Sequence, residues 1–129
     1  MKANIAGIDL DLAYTIRAKK ALADEFDGLD NIAAIFENED EETIFEDVCL
    51  IASILTQAAA ERDRLKAKAF GTEPTVKAYT AEEIESLADI HDMMGLSIAC
   101  IASMAEASQT KVNLAEPENP KKKEKRAQR

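Results

Sequence analysis

The single histidine of this chain lies in the run Asp89, Ile90, His91, Asp92, where an imidazole between two carboxylates has the residue types to hold a divalent metal. Such a site needs further His and Asp ligands from other helices, and no second histidine exists to supply them. His91 is therefore read as a core-edge or surface residue. Cys49 and Cys100 sit far apart inside apolar patterns, without metal-type spacing or an electropositive setting to lower a thiol pKa, and are read as reduced core residues. The four glycines, Gly7, Gly28, Gly71 and Gly95, stand alone, so no phosphate-binding loop is formed. The acidic run Glu37 to Glu42 lacks the glycine and alternating ligands of a calcium loop. It reads instead as a solvated turn, with Asp40 as N-cap and Glu41 and Glu42 favoured by the dipole of the helix that follows. Neither an enzyme nor a cofactor is expected.

What must position these residues is a helix over Thr43 to Ala60. Ile44, Val48, Ile51, Leu55 and Ala58 form one stripe, flanked by Leu50 with Ile54 and by Phe45 with Cys49 and Ala52. Glu46, Ser53 and Gln57 form the polar strip. A helix so apolar around its circumference needs neighbours on several sides, which predicts a mainly α fold, a small bundle with this helix at its centre. Past Ala60 it turns polar, with Glu61 to Arg64 and Asp63 to Lys66 spaced as surface pairs, and should end near Gly71.

Around it the pattern places a short half-buried strand at Ile8 to Leu12, where apolar and acidic residues alternate. A helix from Ala13 to Asp27 is stopped by Gly28, and a brief one over Asn31 to Phe36 is capped by Asp30. Thr72 to Tyr79, with Pro74, is a crossing segment. Thr80 and Glu83 make a capping box for the second long helix, whose packed face is expected at Ile84, Leu87, Ala88, His91, Met94, Ile98, Ile101, Ala102 and Ala105. Gly95 falls on that stripe, either admitting a close neighbour or marking a break after Asp92. Residues 1–110 thus form one helical domain, and 111–129 a disordered basic tail.

In 129 residues, 47% hydrophobic but only 5% aromatic, there is material for one modest core of Ile, Leu, Ala and Met. Residues 1–119 carry 10 Lys and Arg against 24 Asp and Glu, a net of −14, whereas 120–129 carry 6 against 1, a net of +5. The folded body therefore repels nucleic acid. The tail is either a solubilising end or a tether for an acidic partner or nucleic acid. With no apolar run near the roughly 18 residues of a membrane span and no signal-peptide core in MKANIAGIDLDL, a cytoplasmic protein is expected. Met93, Met94 and Met104 are either core filler or an adaptable partner-binding surface.

The stretch IDLDLAYTIRAKKALADEFDGLDNIAAIF, continued through the acidic turn to the central helix, resembles the tail assembly chaperones of long-tailed, siphovirus-type bacteriophages and prophages. ALADEFDG, residues 21–28, stands where that family has a pattern like L-E-x-x-[FL]-G, with Ala23 where a Glu is common. The resemblance covers residues 8 to 60. It implies a small helical protein of the host bacterial cytoplasm that binds the tape measure protein and keeps it soluble while the tail tube assembles, and it leaves homo-oligomerisation open. A different class fits the charge alone: an acidic helical adaptor or regulatory protein that occupies a basic protein surface. Release from a basic partner by modest salt would mark that class.

The resemblance also implies that some ribosomes slip back one base near the end of the gene, making a longer form that recruits tail tube protein. Asn119, Pro120 and Lys121 can be encoded AAC CCA AAA, containing the slippery heptamer C CCA AAA, and Lys121 to Lys123 can contain A AAA AAG. The alternative is that Pro and Lys merely compose a soluble end. The coding DNA is expected to carry one of these heptamers, with an overlapping frame that runs well past Arg129. Synonymous codons that interrupt both, or an overlapping frame that closes at once, would remove this support.

Overall fold

A computed structural model describes residues 1–115 apart from 29, 36, 38 and 39. The chain runs β1 (Lys2–Ile5), β2 (Ile8–Asp11), α1 (Ile16–Phe26), α2 (Asp30–Ile35), α3 (Glu41–Phe70), α4 (Ala81–Leu87) and α5 (Ile90–Ala115). The fold is mainly α, as expected, with a two-stranded antiparallel hairpin at its N-terminus.

The expected strand at Ile8 to Leu12 is β2, and β1, which was not expected, pairs with it. Ile5 pairs with Ile8 across a two-residue turn, Ala6 and Gly7, whose φ angles of 51° and 80° are those of the I′ turns that suit hairpin twist. Ala3, Ile5 and Leu10 point into the core while Asn4 and Asp9 bond to each other outside. The ladder continues past β2, because the Leu12 N–H donates to the Met1 carbonyl and the Ala13 N–H to the Leu55 carbonyl of α3. Held in this way, Ala13 and Tyr14 are not helical as expected. Helix α1 instead begins after Thr15, whose hydroxyl accepts from the Ala18 N–H. It ends at Asp27, in the left-handed region at φ 57°, and the Asn31 side chain donates to the freed carbonyls of Phe26 and Asp27. Asp30, expected as the cap of α2, is its first residue; Phe36 lies outside the described residues.

Helix α3 is the centre of the molecule, packed by α1, α4, α5 and β2. Val48, Ile51 and Leu55 are fully buried among Ile5, Leu10, Leu22, Ile84 and Leu96. Asp40 is its N-cap residue, and its carboxylate accepts from the Thr43 hydroxyl. Gly71 at φ 70° ends the helix as expected, with the Thr72 N–H returning to the Ala67 carbonyl. By length and composition α3 could cross a membrane, with mean hydropathy 1.4 over its most apolar eighteen-residue window, contrary to the expectation that no stretch would. In this fold 44% of that window is buried, as in the core helix of a soluble protein.

Of the expected polar strip on α3, Glu46 and Gln57 are exposed, but Ser53 is buried, as is Thr56 beside it. The crossing segment after Gly71 runs back along this side of the helix. Ser53 donates to the Tyr79 carbonyl at 3.1 Å and accepts from Gln57, and Thr56 donates to the Lys77 carbonyl at 3.4 Å. Farther out, one Asp63 oxygen accepts from the N–H groups of Thr75 at 2.7 Å and Val76 at 2.9 Å. Those backbone bonds, ahead of the charge of Lys66, hold the Asp63 pKa below the usual carboxylate range. A carboxylate with a lowered folded pKa stabilises the fold at neutral pH, and that contribution is lost as pH falls through the lowered value. Three side chains of α3 thus fasten an otherwise irregular strand.

The capping box at Thr80 is present in both directions, Thr80 N–H to Glu83 Oε1 at 2.8 Å and Glu83 N–H to Thr80 Oγ1 at 3.2 Å. The helix it starts does not run on, however. It stops at Leu87, Ala88 is extended, and α5 begins at Ile90, not after a break beyond Asp92. This interruption changes the phase of everything that follows. Met93, Leu96, Ala99, Cys100 and Ser103 are buried, while His91, Met94, Ile98, Ile101 and Ala105 of the expected packed face point outward and Leu87 is half-buried. Gly95 is exposed, and a Cβ placed on it would meet nothing within 4 Å. Helix α5 continues to Ala115, into the expected tail, and 116–129 lie outside the described residues.

Leu55→Ala should cost about 2–5 kcal/mol, because it truncates a fully buried side chain at the middle of α3. Chemical denaturation of the two proteins checks it; a variant that unfolds with the parent would contradict the central position of α3.

Candidate functional site

The cluster around His91 resolves into helix capping. The Asp92 N–H donates to Asp89 Oδ1 and the Asp89 N–H donates to Asp92 Oδ2, both at 3.1 Å. This is the reciprocal arrangement seen at Thr80 and Glu83, with two carboxylates in place of hydroxyl and carboxylate. Both carboxylates serve the start of α5, where negative charge also suits the helix dipole. The imidazole of His91 is exposed between them. Among the described residues, no group of three or more His, Cys, Asp or Glu is placed to hold a metal.

The two thiols lie in the packed interior, Cys49 on α3 and Cys100 on α5. Burial, and to a lesser degree the charge of Glu85, pushes the Cys49 thiol up to about 11; burial, with Cys49 nearby, pushes Cys100 up to about 12. Both are protonated at neutral pH and poor nucleophiles.

The three methionines singled out as a partner surface are separated by the fold. Met93 is buried and lines a small cleft of about 110 Å³ with Phe45, Cys49, Glu85 and Ala88. Met104 is half-buried against the core. Only Met94 faces out, with Ile98 and Ile101, which like it were expected on the packed face, and with Ile90: Ile90 and Met94 are each 74% exposed, Ile98 60% and Ile101 46%. Their spacing of four, four and three brings them onto one side of α5. No charged residue occurs from Met93 to Ala105, so between Asp92 and Glu106 this stripe has no ionic neighbour on its own helix.

A second open surface lies between α1 and the outer half of α3, a groove of about 820 Å³. Ala18, Ala21, Ile54, Ala58, Leu65 and Phe70 form its apolar lining, and Arg17, Arg62, Arg64 and Lys66 its charged one. Glu61 stands between the helices, 3.8 Å from Arg17 and 2.9 Å from Arg64. Sequence reading missed this site because its residues come from two segments and its charge is opposite to that of the body.

These features define a mainly helical protein with two open surfaces, one uncharged and one lined by cations. No protein-family model matches the chain, and neither the curated proteins nor the solved structures contain a match to it.

At pH 8, iodoacetamide should modify Cys49 and Cys100 in the folded protein at least about a hundredfold more slowly than in urea, since two or more pKa units separate these thiols from an ordinary one. Mass spectrometry of timed samples reads this directly. Rapid labelling of either residue without unfolding would show that the α3–α5 interface opens.

Proposed function

We propose that this protein is a non-enzymatic, chaperone-type binding protein that keeps an apolar helical client dispersed, and that the client is the tape measure protein of a long phage tail. The observation that carries the reading is the uncharged outer stripe of α5, Ile90, Met94, Ile98 and Ile101, which remains exposed while Met93, Leu96, Ala99 and Cys100 of the same helix are buried. An amphipathic helix of a client can lay its apolar face along such a stripe. Patches of this kind on soluble domains mark interaction sites. The surrounding acidic surface keeps the complex in solution. The choice of client, and of the host cytoplasm as its setting, rests on the resemblance of residues 8–60 to tail assembly chaperones.

Magnitudes bear on how such a client is held. Taking four large apolar side chains fully out of water is worth at most about 6–12 kcal/mol at 1.5–3 kcal/mol each. Association itself costs about 4–15 kcal/mol. One copy therefore binds weakly, and a very long client is retained by many copies along its length. A longer, frameshifted form of the protein among those copies would bring tail tube protein to the same client.

The test is coexpression with the tape measure protein encoded nearby, measuring its soluble fraction with the parent protein, with Met94→Lys/Ile98→Lys, and with neither. Soluble client is expected with the parent alone, while the exposed substitutions change the melting of the protein itself by no more than about 0.5 kcal/mol each. Equal client solubility in all three would end the proposal.

A further inference from the structure

The groove between α1 and α3 is an anomaly of charge. The whole chain has a formal net charge of −9, yet Arg17, Arg62, Arg64 and Lys66 converge on one groove that holds a single carboxylate, Glu61. That carboxylate is already engaged by Arg17 and Arg64. Arg62 makes no ion pair among the described residues. Between the cations the lining is apolar and left in water, Leu65 50% exposed and Phe70 76%. Ala18, Ala21 and Ala58 keep the groove shallow enough for another backbone to come close.

We propose that this groove receives an acidic amphipathic helix of a protein partner, its apolar side against Ile54, Leu65 and Phe70 and its carboxylates against Arg17, Arg62, Arg64 and Lys66. The shape fits a helix. Helix α3 lines the groove from Ile54 to Phe70, about 24 Å at 1.5 Å per residue, which matches roughly four turns of a second helix. The chemistry selects the charge. A basic helix would meet four cations, and the basic end of this chain, net +5 over residues 120–129, is excluded as an occupant for the same reason. Nucleic acid is disfavoured by the acidic body around the groove.

The inference is independent of the client-binding stripe on α5 and is tested separately, with two labelled peptides of about 16 residues. Both carry Leu at helical core spacing, one with Glu and the other with Lys on the flanks. By fluorescence anisotropy the Glu peptide should bind the full-length protein at least about tenfold more tightly than the Lys peptide, which is left with the weak, charge-indifferent α5 stripe. Arg62→Glu/Lys66→Glu should weaken the Glu peptide about tenfold and admit the Lys peptide, while circular dichroism confirms that the variant is folded. Ile98→Lys should leave Glu-peptide binding unchanged. Equal binding of both peptides to the parent, or Glu-peptide binding indifferent to the charge reversal, would overturn the proposal. So would sedimentation showing that the protein alone self-associates and that the same reversal abolishes it, since the occupant would then be a second copy.

Discussion

A thirty-residue helix that presents Val48, Ile51 and Leu55 on one side and the hydroxyls of Ser53 and Thr56 on another needs two kinds of neighbour. The aliphatic side is covered by side chains from the hairpin, α1, α4 and α5. The hydroxyl side must be covered by groups that accept hydrogen bonds, because a buried hydroxyl without a partner is costly. Irregular backbone with free carbonyls meets that need, and the segment from Thr72 to Tyr79 provides it through Lys77 and Tyr79. The route of the chain after α3 is thus dictated by a few polar atoms on a largely apolar helix. Where those atoms end and Leu65, Ala69 and Phe70 begin, the helix is left open to water.

Much of this was legible because the signals were local. Thr80 with Glu83, and Gly71 after a polar helical turn, each announce a helix end through residues close to one another in sequence. Asp89 with Asp92 is the same kind of signal, but next to the only histidine it suggested metal chemistry, and its meaning as a helix start was overlooked. That one omission joined α4 to α5 and turned the face of α5 around, so Ile98 and Met94 were assigned inward and Leu96 and Cys100 were left out of the packed stripe. Periodicity cannot correct such an error in MMGLSIACIASMA, where nearly every phase is apolar. The strand β1 escaped because KANI offers only two apolar residues, one of them alanine, and its evidence is the turn at Ala6 and Gly7. Ser53 was placed in water because its partner lies 26 residues away.

In the binding roles proposed for them, the two open surfaces differ in the kind of selectivity they would afford. The α5 stripe discriminates by shape and greasiness alone, which suits recognition of repeated, loosely related helical segments. The groove adds charge, so it can reject most apolar helices and retain those with acidic flanks. Glu61 lies within ion-pair distance of cations from both α1 and α3.

The ties between α3 and the returning segment also set an order of assembly. Their partners are separated by 12 residues at Asp63 and Thr75, 21 at Thr56 and Lys77, and 26 at Ser53 and Tyr79, so they can close like a zipper outward from Gly71, each closure shortening the loop left for the next. The packing of β1 against α5 is the opposite case, joining the two ends of the described chain. During synthesis the hairpin, α1 and the fastened α3 emerge first, and only the arrival of α5 seals the aliphatic side. The helix that bears the outer stripe is the last of the described elements to be synthesised, so every element that packs behind it is already made when it emerges.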